Sequence, residues 1–507
     1  MKLTRLTEGL DMINMSGEAS GDVSGVCFSA DQCVPESLFV AIPGLKRDGH
    51  DFIEEAISRG ARFIVHEKVL TFPPFVRAIK VSDSRRALGI LAKNYFGDPS
   101  AALTVIAVMG TNGKTTISYL LESILKEAGC KCGVLGTVNY RYNDKVYDAP
   151  NTTPESYEMQ KILRAMADDG VTHVVAEVSS HAVDLKRVDD CDFDLGIFTN
   201  LTRDHLDYHV TMENYFQAKK RFFAEILPQS RKGYAQKMII NADDDWGRRI
   251  LKDVPLPALT YGIENDCAVR SLNCKLSLNG IEADIRLAGN NVLIQSPLIG
   301  KFNLYNILAA AGAAFILHIP VPVIKAGIEN LSHVPGRLES VPSTGGVHVF
   351  VDYAHTDDAL RRVLQNLSEL KKNGIITVFG CGGNRDKGKR PLMGDAATRY
   401  SDLTIITSDN PRLENPLDII ADIETGIDRK DVKKSDPEML KMNGRARSYA
   451  VIPERRKAIE AAIKAARRDD IVLIAGKGHE DYQILGTEKI SFDDRVVARQ
   501  ILETKSY

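Results

Sequence analysis

The chain has 507 residues, 26% of them charged, and a formal net charge of −2 at pH 7. At roughly 150 residues per domain, this length predicts three domains with separate cores. The near-neutral balance disfavours proteins that hold nucleic acid or a membrane surface through a basic face, so we expect a small anionic ligand instead.

The sequence also predicts a cytoplasmic protein. No apolar run approaches the ~18 residues of a membrane span, and the segment from Met1 to Arg5 lacks the apolar stretch of a secretory signal. We therefore expect no membrane insertion. The eight cysteines show no metal-binding pair spacing, and in a reducing compartment they are expected to be free thiols.

Strand-like and helical segments alternate along the whole chain, a rhythm typical of α/β domains with mostly parallel sheets. A linker-like segment at 95–100 and a hinge at Pro335-Gly336 divide them. We therefore predict domains at residues 1–98, 99–335 and 336–507, the last with a dinucleotide-type fold. The predicted strands are residues 38–42, 61–65 and 78–81, then 103–108, 133–138, 171–178, 194–200 and 238–241, then 347–351, 375–379, 403–407 and 471–475.

A glycine-rich segment, here named the phosphate loop, lies between the strand predicted at 103–108 and an amphipathic helix predicted at 117–128. It consists of Gly110, Thr111, Asn112, Gly113, Lys114, Thr115 and Thr116. At a helix N-terminus, backbone N–H groups and the helix dipole face bound phosphates. The ammonium of Lys114 adds positive charge, and the Thr115 hydroxyl can ligate Mg²⁺. The segment predicts a nucleotide site, although Val108 stands where the general Walker pattern has glycine.

Two further segments of the second domain carry polar groups at predicted strand ends. Glu177 ends the 171–178 strand, which makes it a candidate Mg²⁺ ligand, with a helix cap or a surface acid as the alternative. The segment 199–209 contains two histidines, two aspartates and an arginine. So many polar and charged side chains beside a phosphate loop indicate a site that binds a metal ion and balances the charge of phosphate oxygens. Lys219 to Arg221, taken alone, is typical of a solvated helix face.

In order and spacing, the phosphate loop, Glu177, His205 and Lys219 resemble the Mur ligases, a family related to the folylpolyglutamate synthases. The resemblance covers essentially the whole chain. It implies a small N-terminal α/β UDP-binding domain, a central P-loop ATPase domain with a parallel sheet, and a C-terminal Rossmann-like domain. It also implies ATP, two Mg²⁺ ions and CO₂ carried as a carbamate on Lys219, in a monomer without nucleic-acid partners.

The resemblance assigns roles around the nucleotide. The implied ATP contacts are the phosphate loop, Asn303 and Asn306 near the adenine, and Asp352 at the ribose. The implied metal ligands are Thr115, Glu177, His205 and carbamylated Lys219. The implied catalytic residues are Lys114, His205, Lys219 and Arg337, with Arg337 at the phosphates. His205 could alternatively act as a base for the incoming amine, and helix capping is an equally good reading of Asn303.

Within the family, the chain is most similar to the ligases that add the third amino acid of the peptidoglycan stem peptide. The implied partners are UDP-MurNAc-L-Ala-D-Glu and meso-2,6-diaminopimelate. Where the family usually has Asp-Ser-Arg, this chain has Phe28-Ser29-Ala30, so only Ser29 carries over. The residues implied to bind the uridine-linked peptide are Ser29, Asn151, Thr152, Thr153, Ser180 and Arg187.

The amino acid is read from a segment in the third domain, Asp409-Asn410-Pro411-Arg412, which matches the family's signature for diaminopimelate. Diaminopimelate carries a second ammonium and a second carboxylate at its far end, and an arginine can bind that carboxylate bidentately. Because a buried arginine without its anion is costly, we expect L-lysine to be rejected by roughly 10³. The implied residues, here named the amino-acid clamp, are Arg385, Asp409, Asn410, Arg412, Gly476 and Glu480.

Three other functions stay open. The same ligation could use L-lysine, because family members with related motifs accept it. A folylpolyglutamate synthase would share the phosphate loop and the lysine chemistry, but the uridine-type domain and residues 409–412 speak against it. A nucleotide-sensing or scaffold protein would keep the loop without turnover, and the intact set of Lys114, Glu177, His205 and Lys219 disfavours that reading.

Overall fold

The computed structural model describes residues 1–17, 20–44, 47–230, 232, 234, 237–343, 345–440 and 447–504. Their strands form sheets of five, eleven and seven members and one separate two-stranded hairpin. Each large sheet lies inside one of the predicted ranges 1–98, 99–335 and 336–507. The predicted α/β class is confirmed, and the exact domain boundaries stay a prediction.

The N-terminal sheet has the order β1-β5-β4-β3-β2 and is parallel except where β1 meets β5. Its elements are α1 (Leu3–Leu6), β1 (Met12–Met15), β2 (Val26–Cys27), β3 (Leu38–Val40), α2 (Ile53–Ser58), β4 (Phe63–His66), β5 (Arg77–Val81) and α3 (Ser84–Phe96). Helix α3 begins after Asp83, whose carboxylate accepts a hydrogen bond from the Arg86 amide at 2.9 Å. It ends at Gly97, which has a φ of 72°.

The central unit is built on the eleven-stranded sheet, and helices cover both of its faces. Its strands are β6 (Thr104–Met109), β7 (Cys132–Leu135), β8 (Tyr140–Tyr142), β9 (Lys145–Tyr147), β10 (His173–Glu177), β11 (Leu195–Phe198), β12 (Met238–Asn241), β13 (Ala258–Gly262), β14 (Val269–Ser277), β15 (Gly280–Leu287) and β16 (Asn290–Ser296). Its helices are α4 (Lys114–Glu127), α5 (Ser156–Asp168), α6 (Ser180–Asp184), α7 (Leu206–His209), α8 (Met212–Arg221), α9 (Asp245–Asp253), α10 (Lys301–Ile316) and α11 (Val321–Glu329).

Both edges of this sheet are antiparallel, which the sequence reasoning did not predict. Strands β7, β8 and β9 form one meander, and β14, β15 and β16 form the other. Strand β9 is exposed throughout, and most of β14 is exposed or half-buried. Several strands of these meanders are very short or alternate apolar with polar residues, so a search for continuous apolar runs does not find them.

The C-terminal sheet has the order β17-β18-β23-β19-β20-β22-β21, and β24 pairs with β25 in the separate hairpin. The strands are β17 (Glu339–Val341), β18 (His348–Asp352), β19 (Ile375–Phe379), β20 (Leu403–Ile406), β21 (Lys433–Lys434), β22 (Ser448–Val451), β23 (Ile471–Ala475), β24 (Tyr482–Leu485) and β25 (Glu488–Ser491). The helices are α12 (Asp357–Leu370), α13 (Lys389–Tyr400), α14 (Pro416–Glu424), α15 (Arg455–Ala465) and α16 (Asp494–Thr504).

The central sheet brings three strand ends side by side, because β6 lies between β10 and β11. Val108 pairs with Glu177 on one side, and Met109 pairs with Phe198 on the other. In open α/β sheets, ligands bind at the carboxyl ends of strands where the strand order reverses. In the described ranges, every helix falls short of the length and apolar character that a bilayer crossing demands.

Candidate active site

The phosphate loop has a backbone that favours glycine at two positions. Gly110 and Gly113 have φ values of 143° and 94°, where residues with a Cβ are strained. A Cβ on Gly110 would lie 1.8 Å from Thr199 Oγ1, and one on Gly113 would lie 2.4 Å from Asn306 Oδ1. The loop therefore packs tightly against the end of β11 and against α10.

Polar groups after β11 hold the turn of the phosphate loop. The amide of Asn112 donates to Asn200 Oδ1 at 3.1 Å, and the amide of Thr111 donates to the Asn200 carbonyl at 2.9 Å. Thr199 Oγ1 donates to the Asn112 carbonyl at 2.7 Å, and the Thr202 amide donates to Thr111 Oγ1 at 3.0 Å. Part of the polar segment 199–209 thus serves to fix the loop in place.

Glu177 is 1% exposed and accepts hydrogen bonds from both neighbouring strand ends. Its Oε2 accepts from the hydroxyls of Thr115 at 3.2 Å and Thr137 at 2.8 Å, and its Oε1 accepts from the Thr137 amide at 3.1 Å. The Thr137 hydroxyl also lies 3.1 Å from the Thr152 hydroxyl. A carboxylate beside a hydroxyl at a phosphate-binding helix start is an oxygen donor set that suits Mg²⁺.

These groups border a solvent-open pocket between the central and third domains. Its lining residues are Thr111, Asn112, Gly113, Lys114, Thr115, Thr116, Thr137, Glu177 and Arg337. The pocket therefore joins most of the phosphate loop to Glu177 on one side and to a cation from the third domain on the other.

Two ammonium groups converge on the carbonyl of Gly110. Lys114 Nζ donates to it at 3.0 Å and to the Thr111 carbonyl at 2.9 Å, and Lys219 Nζ donates to it at 3.0 Å. Lys219 is 1% exposed, and its Nζ lies 4.7 Å from the centre of the Tyr215 ring. Burial, with the charge of Lys114 as the second cause, holds the pKa of Lys219 well below its usual range. The uncharged amine, which is the form that reacts with CO₂, is therefore favoured.

His205 stands at the start of α7 with a φ of 53°. Its ring centre lies 4.8 Å from that of His181 and 6.0 Å from that of Tyr215. Partial burial of the half-exposed ring lowers the pKa of His205 below its usual range, against an opposing effect of Asp204. A neutral imidazole near pH 7 can ligate a metal or accept a proton. In the described part of the chain, no group of three His, Cys, Asp or Glu side chains has metal-binding geometry. The ligand set implied by the resemblance would not form such a group, because only Glu177 and His205 in it are of these four residue types.

Arg337 brings the third domain onto this pocket. Its Nη2 donates to Thr115 Oγ1 at 3.1 Å, and its guanidinium lies over the Tyr353 ring at 4.9 Å. Its Nε is buried and finds no hydrogen-bond partner among the described residues. A buried donor of this kind is available to an anionic ligand.

Asp352, the implied ribose contact, is 7% exposed and binds backbone amides. Its Oδ2 accepts from the Leu338 amide at 2.6 Å, and its Oδ1 accepts from the Ala354 amide at 2.8 Å. These bonds shape the loop that carries Arg337. The ribose contact stays a prediction.

The two asparagines implied to lie near the adenine are both buried on α10. Asn306 Nδ2 donates to Asn303 Oδ1 at 3.0 Å, and Asn303 Nδ2 donates to the Ile299 carbonyl at 2.9 Å. Asn306 is therefore oriented by its neighbour while its own oxygen faces Gly113. The adenine contact stays a prediction.

The segment implied to bind the uridine-linked peptide folds against the end of β10. Thr153 Oγ1 donates to the Glu177 carbonyl at 2.8 Å and accepts from the Ser179 amide at 3.0 Å. The Asn151 carbonyl accepts from the Tyr140 hydroxyl at 2.5 Å. This segment is therefore tied to the strand that carries the candidate metal ligand.

Arg187 lies beside the same segment, at the contact between the first and second domains. Its Nη1 donates to the Thr153 carbonyl at 3.2 Å, and its Nε lies 3.3 Å from Glu155 Oε2. Arg85 of the first domain lies 3.3 Å from the same oxygen through its Nη1. Glu155 is thus held between two guanidinium groups from two domains.

The two serines of the implied peptide site differ in their surroundings. Ser180 is 1% exposed, and its Oγ lies 2.9 Å from His209 Nε2. Ser29 is half-buried, precedes the short helical turn Ala30–Gln32, and donates to the Asp31 carboxylate. The structure gives Ser180 a fixed partner and leaves the uridine contact of Ser29 a prediction.

The arginines of the amino-acid clamp border one glycine of the third domain. A Cβ on Gly382 would lie 3.0 Å from Arg412 Nη1 and 3.8 Å from Arg385 Cγ. Arg412 has a φ of 53°, and its Nη1 donates to the Gly383 carbonyl at 2.9 Å. Arg412 is half-buried, whereas Arg385 is exposed. Both side chains therefore start from the same side of the domain.

The remaining clamp residues meet around a buried lysine. Asn410 Nδ2 donates to Glu480 Oε2 at 3.0 Å. Lys477 is 0% exposed, and its Nζ donates to Asp409 Oδ1 at 3.4 Å, Asn410 Oδ1 at 3.2 Å and Glu480 Oε2 at 3.2 Å. A Cβ on Gly476 would lie 3.9 Å from Asp409 Oδ2. The structure thus brings four of the six clamp residues together at one centre.

Known proteins match this chain along nearly its whole length. A protein of Geobacter sulfurreducens named UDP-N-acetylmuramoyl-L-alanyl-D-glutamate--2,6-diaminopimelate ligase is 45% identical over 495 residues, which are 98% of this chain and 97% of that protein. The chain belongs to the Mur ligase family. Residues 22–96 match the Mur ligase family catalytic domain, 108–314 the Mur ligase middle domain, and 336–478 the Mur ligase glutamate ligase domain.

Other Mur ligases agree over similar lengths. A protein of Caldanaerobacter subterraneus with the same name is 40% identical over 504 residues, 99% of each chain. A solved structure of a ligase of that name is 31% identical, covers 99% of each chain and superimposes with a TM-score of 0.70. The three-domain α/β fold and the ligase class are thereby confirmed.

Sequence reasoning missed three residues that contact the expected site of this Mur ligase. Thr137 follows β7, a neighbour of β10, and the rule that placed Glu177 at a strand end could have flagged it. Glu155 precedes α5 and accepts from the Ser156 amide at 3.3 Å, and no local sequence signal marks it as more than a residue at a helix start. Lys477 stands between two glycines, which is typical of an exposed turn, and only the fold shows its burial.

Proposed function

We propose that this Mur ligase joins meso-2,6-diaminopimelate to the D-glutamyl γ-carboxylate of UDP-MurNAc-L-Ala-D-Glu, with conversion of ATP to ADP and phosphate. The observation that carries the proposal is the contact between Arg337 of the third domain and Thr115 of the phosphate loop. The names of the relatives at 45% and 40% identity support the choice of substrates.

The loop of Arg337 also touches the amino-acid clamp, which supports a single reaction centre. A Cβ on Gly336 would lie 2.1 Å from the His479 amide nitrogen. The Tyr353 ring, over which the Arg337 guanidinium lies, has its centre 4.9 Å from that of the His479 ring. The cation that reaches the phosphate loop is therefore packed directly against the segment that carries Gly476 and Glu480.

The chemistry requires a carboxylate to approach a polyanion. The γ-phosphate of ATP passes to the γ-carboxylate, the amine of diaminopimelate attacks the resulting acyl phosphate, and phosphate leaves from a tetrahedral intermediate. Lys114, Arg337 and the amides of the phosphate loop offset the repulsion between the anions. Bound Mg²⁺, for which Thr115, Glu177, His205 and carbamylated Lys219 are suitable ligands, would add Lewis-acid charge stabilisation.

We infer that Lys219 carries CO₂ as a carbamate. Within the described residues its amine forms no ion pair, and its hydrogen bond is to the Gly110 carbonyl at 3.0 Å. A buried cation in such surroundings is unfavourable, whereas the free amine can attack CO₂ and release a proton. The product is a carbamate anion beside the phosphate loop. Its negatively charged oxygens can bind a metal ion as a carboxylate does.

The test of the proposed function is ADP release with all three substrates present. We expect release with ATP, UDP-MurNAc-L-Ala-D-Glu and meso-diaminopimelate, and a mass increase of the uridine product by one diaminopimelate residue. Substitution of L-lysine for diaminopimelate should lower kcat/KM by roughly 10³. Faster turnover with L-lysine, or stimulation by a folate and glutamate instead, would replace the proposal by those activities. No hydrolysis under any of these conditions would favour a nucleotide sensor.

A further inference from the structure

Lys477 is the one buried lysine at the amino-acid clamp in the described part of the chain, and three clamp residues share its ammonium. Its three hydrogen bonds, to Asp409, Asn410 and Glu480, measure 3.2 to 3.4 Å. Asn410 Oδ1 accepts a second bond from the Ile484 amide at 3.0 Å. These two donors fix the carbonyl oxygen of Asn410 toward Lys477, so its Nδ2 must face Glu480.

The exposed fractions of three side chains show that the Lys477 ammonium lies on the interior side of the two carboxylates. The side chains of Asp409 and Glu480 are 10% and 18% exposed, while that of Lys477 is 0% exposed. Lys477 therefore contacts the carboxylates from the protein interior, and their remaining lone pairs face the solvent side. A carboxylate held in this way can still accept hydrogen bonds from a ligand ammonium.

The segment that carries Lys477 is anchored independently of the clamp. Arg455 Nη2 donates to the Ala475 carbonyl at 3.0 Å, and Arg455 forms a fully buried ion pair with Asp494 at 2.7 Å. Gly476 and Gly478, on either side of Lys477, have φ values of 114° and 53°. The backbone can therefore direct the lysine inward at this turn, and its position is set before any ligand binds.

We propose that Lys477 is a positioning residue for amino-acid binding, whose buried ammonium holds Asp409, Asn410 and Glu480 in the arrangement that receives the far-end ammonium and carboxylate of diaminopimelate. The inference rests on the proposed function and names a further determinant of the same site. Without Lys477, two neighbouring carboxylates would repel each other and Asn410 could turn, because each would lose a shared donor.

The test separates positioning from simple stability by measuring KM for each substrate. Lys477→Met keeps an unbranched side chain, one atom shorter than lysine, and removes its charge. We expect KM for diaminopimelate to rise about tenfold or more, since hydrogen bonds to charged groups are lost. The KM values for ATP and for the uridine substrate should stay within about twofold, because the hydrogen bonds of the Lys477 side chain go to residues of the amino-acid clamp.

A matched control is Lys232→Met in the central domain. Lys232 Nζ also makes three hydrogen bonds, to the Leu103 carbonyl, to the Asp192 carbonyl at 3.1 Å and to Asp194 Oδ2 at 2.8 Å. Its loss should lower the thermal stability without a selective change in any KM. An unchanged KM for diaminopimelate in Lys477→Met, or an equal rise in all three KM values, would overturn the inference.

Glu480→Gln and its combination with Lys477→Met provide the second readout. In the double variant one carboxylate has been neutralised, so the two changes should raise KM for diaminopimelate by less than the product of their separate effects. If Lys477→Met alone does not fold, the double variant is compared with Glu480→Gln. Its KM for diaminopimelate should still be the higher of the two, because Asp409 and Asn410 also lose their shared donor, and equal KM values would overturn the inference. If the wild type turns over diaminopimelate but the variants do not show these selective changes in KM, the inference is refuted and the proposed function stands. Absence of wild-type turnover refutes the proposed function and the inference with it.

Discussion

The phosphate loop and the amino-acid clamp are assembled in opposite ways. The phosphate loop is seven consecutive residues on one strand-to-helix turn. It is held by the ends of β10 and β11, the two strands that flank β6. The clamp comes from three loops, at 382–385, 409–412 and 476–480, that meet only after the third sheet has formed. Backbone geometry dominates the first site, and one buried ammonium connects much of the second.

The two sites should therefore respond differently to the substitution of a single side chain. In the phosphate loop most contacts are between neighbouring backbone and hydroxyl groups. The loss of a single side chain there should change the rate of the reaction and leave the choice of amino acid unchanged. In the clamp, charged groups balance one another, so a single side chain should change the choice of amino acid.

Lys219→Ala should lower kcat by roughly 10³, because it removes the implied carbamate from a preorganised electrostatic site. Short carboxylates such as acetate should restore part of the rate by occupying the vacated position. ADP release with and without added carboxylate measures both effects. The substitution should leave the preference for diaminopimelate over L-lysine unchanged, since Lys219 belongs to the phosphate-loop region.

The adjacent Lys220 is the control for that experiment. Its ammonium pairs with Asp253 at 2.7 Å, so Lys220→Ala should retain activity within about twofold. Activity of Lys219→Ala close to that of the wild type, or a complete lack of recovery with every carboxylate, would speak against the carbamate.

Arg412→Leu should lower kcat/KM for diaminopimelate by roughly 10² to 10³, because the far-end carboxylate loses its bidentate partner. The value for L-lysine, which lacks that carboxylate, should change by only about a few-fold. Parallel assays with the two amino acids measure the ratio. Equal losses with both would mean that Arg412 supports the fold of the clamp and does not select the amino acid.

Arg399→Leu is the matched control for Arg412. The Arg399 guanidinium forms an exposed i,i+4 pair with Asp395 at 2.9 Å on α13. Surface pairs of this kind contribute about 0 to 1 kcal/mol to stability. The control should therefore keep both the activity and the amino-acid ratio of the wild type.

Thr137→Val should raise the Mg²⁺ concentration for half-maximal activity about tenfold, as is usual when a residue that orients a metal ligand is lost. The hydroxyl of Thr137 bonds Glu177 Oε2 at 2.8 Å, and valine keeps the shape without the donor. Mg²⁺ titrations of ADP release and of fluorescent nucleotide binding both report the shift. Thr137→Ser should restore the wild-type value, and an unshifted titration in Thr137→Val would contradict the role.

Thr172→Val controls for the loss of a threonine hydroxyl in the same domain. Thr172 Oγ1 donates to the Lys131 carbonyl at 3.2 Å at the amino end of β10, far along the strand from Glu177. Its Mg²⁺ dependence should match that of the wild type. The pair of variants therefore distinguishes the metal-site end of β10 from its opposite end.

The same contrast explains what could be predicted from the sequence. The phosphate loop and Glu177 follow from local pattern, because a motif, a strand end and a helix start are contiguous or one strand apart. Arg412 and Asp409 required a resemblance to a known family, since nothing local reveals that 409–412 meets 476–480. The burial of Lys477 and the contacts of Thr137 depend on packing between distant segments. The antiparallel strands at the sheet edges were missed because they are short or alternate apolar with polar residues.

His209 gives the smallest expected effect, and it concerns the stability of the central domain. The residue is 6% exposed, and burial, with the nearby His181 as the second cause, lowers its pKa from 6.5 to about 4. As the pH falls below 7, the unfolded chain binds a proton at this position before the folded chain does, so stability is lost toward pH 4. Between pH 7 and pH 6 the loss should be about 0.7 kcal/mol. Urea unfolding at the two pH values should show a smaller loss for His209→Gln than for the wild type, while the exposed His333→Gln should match the wild type. Equal losses in all three proteins would mean that burial does not hold the imidazole next to Ser180 in its neutral form.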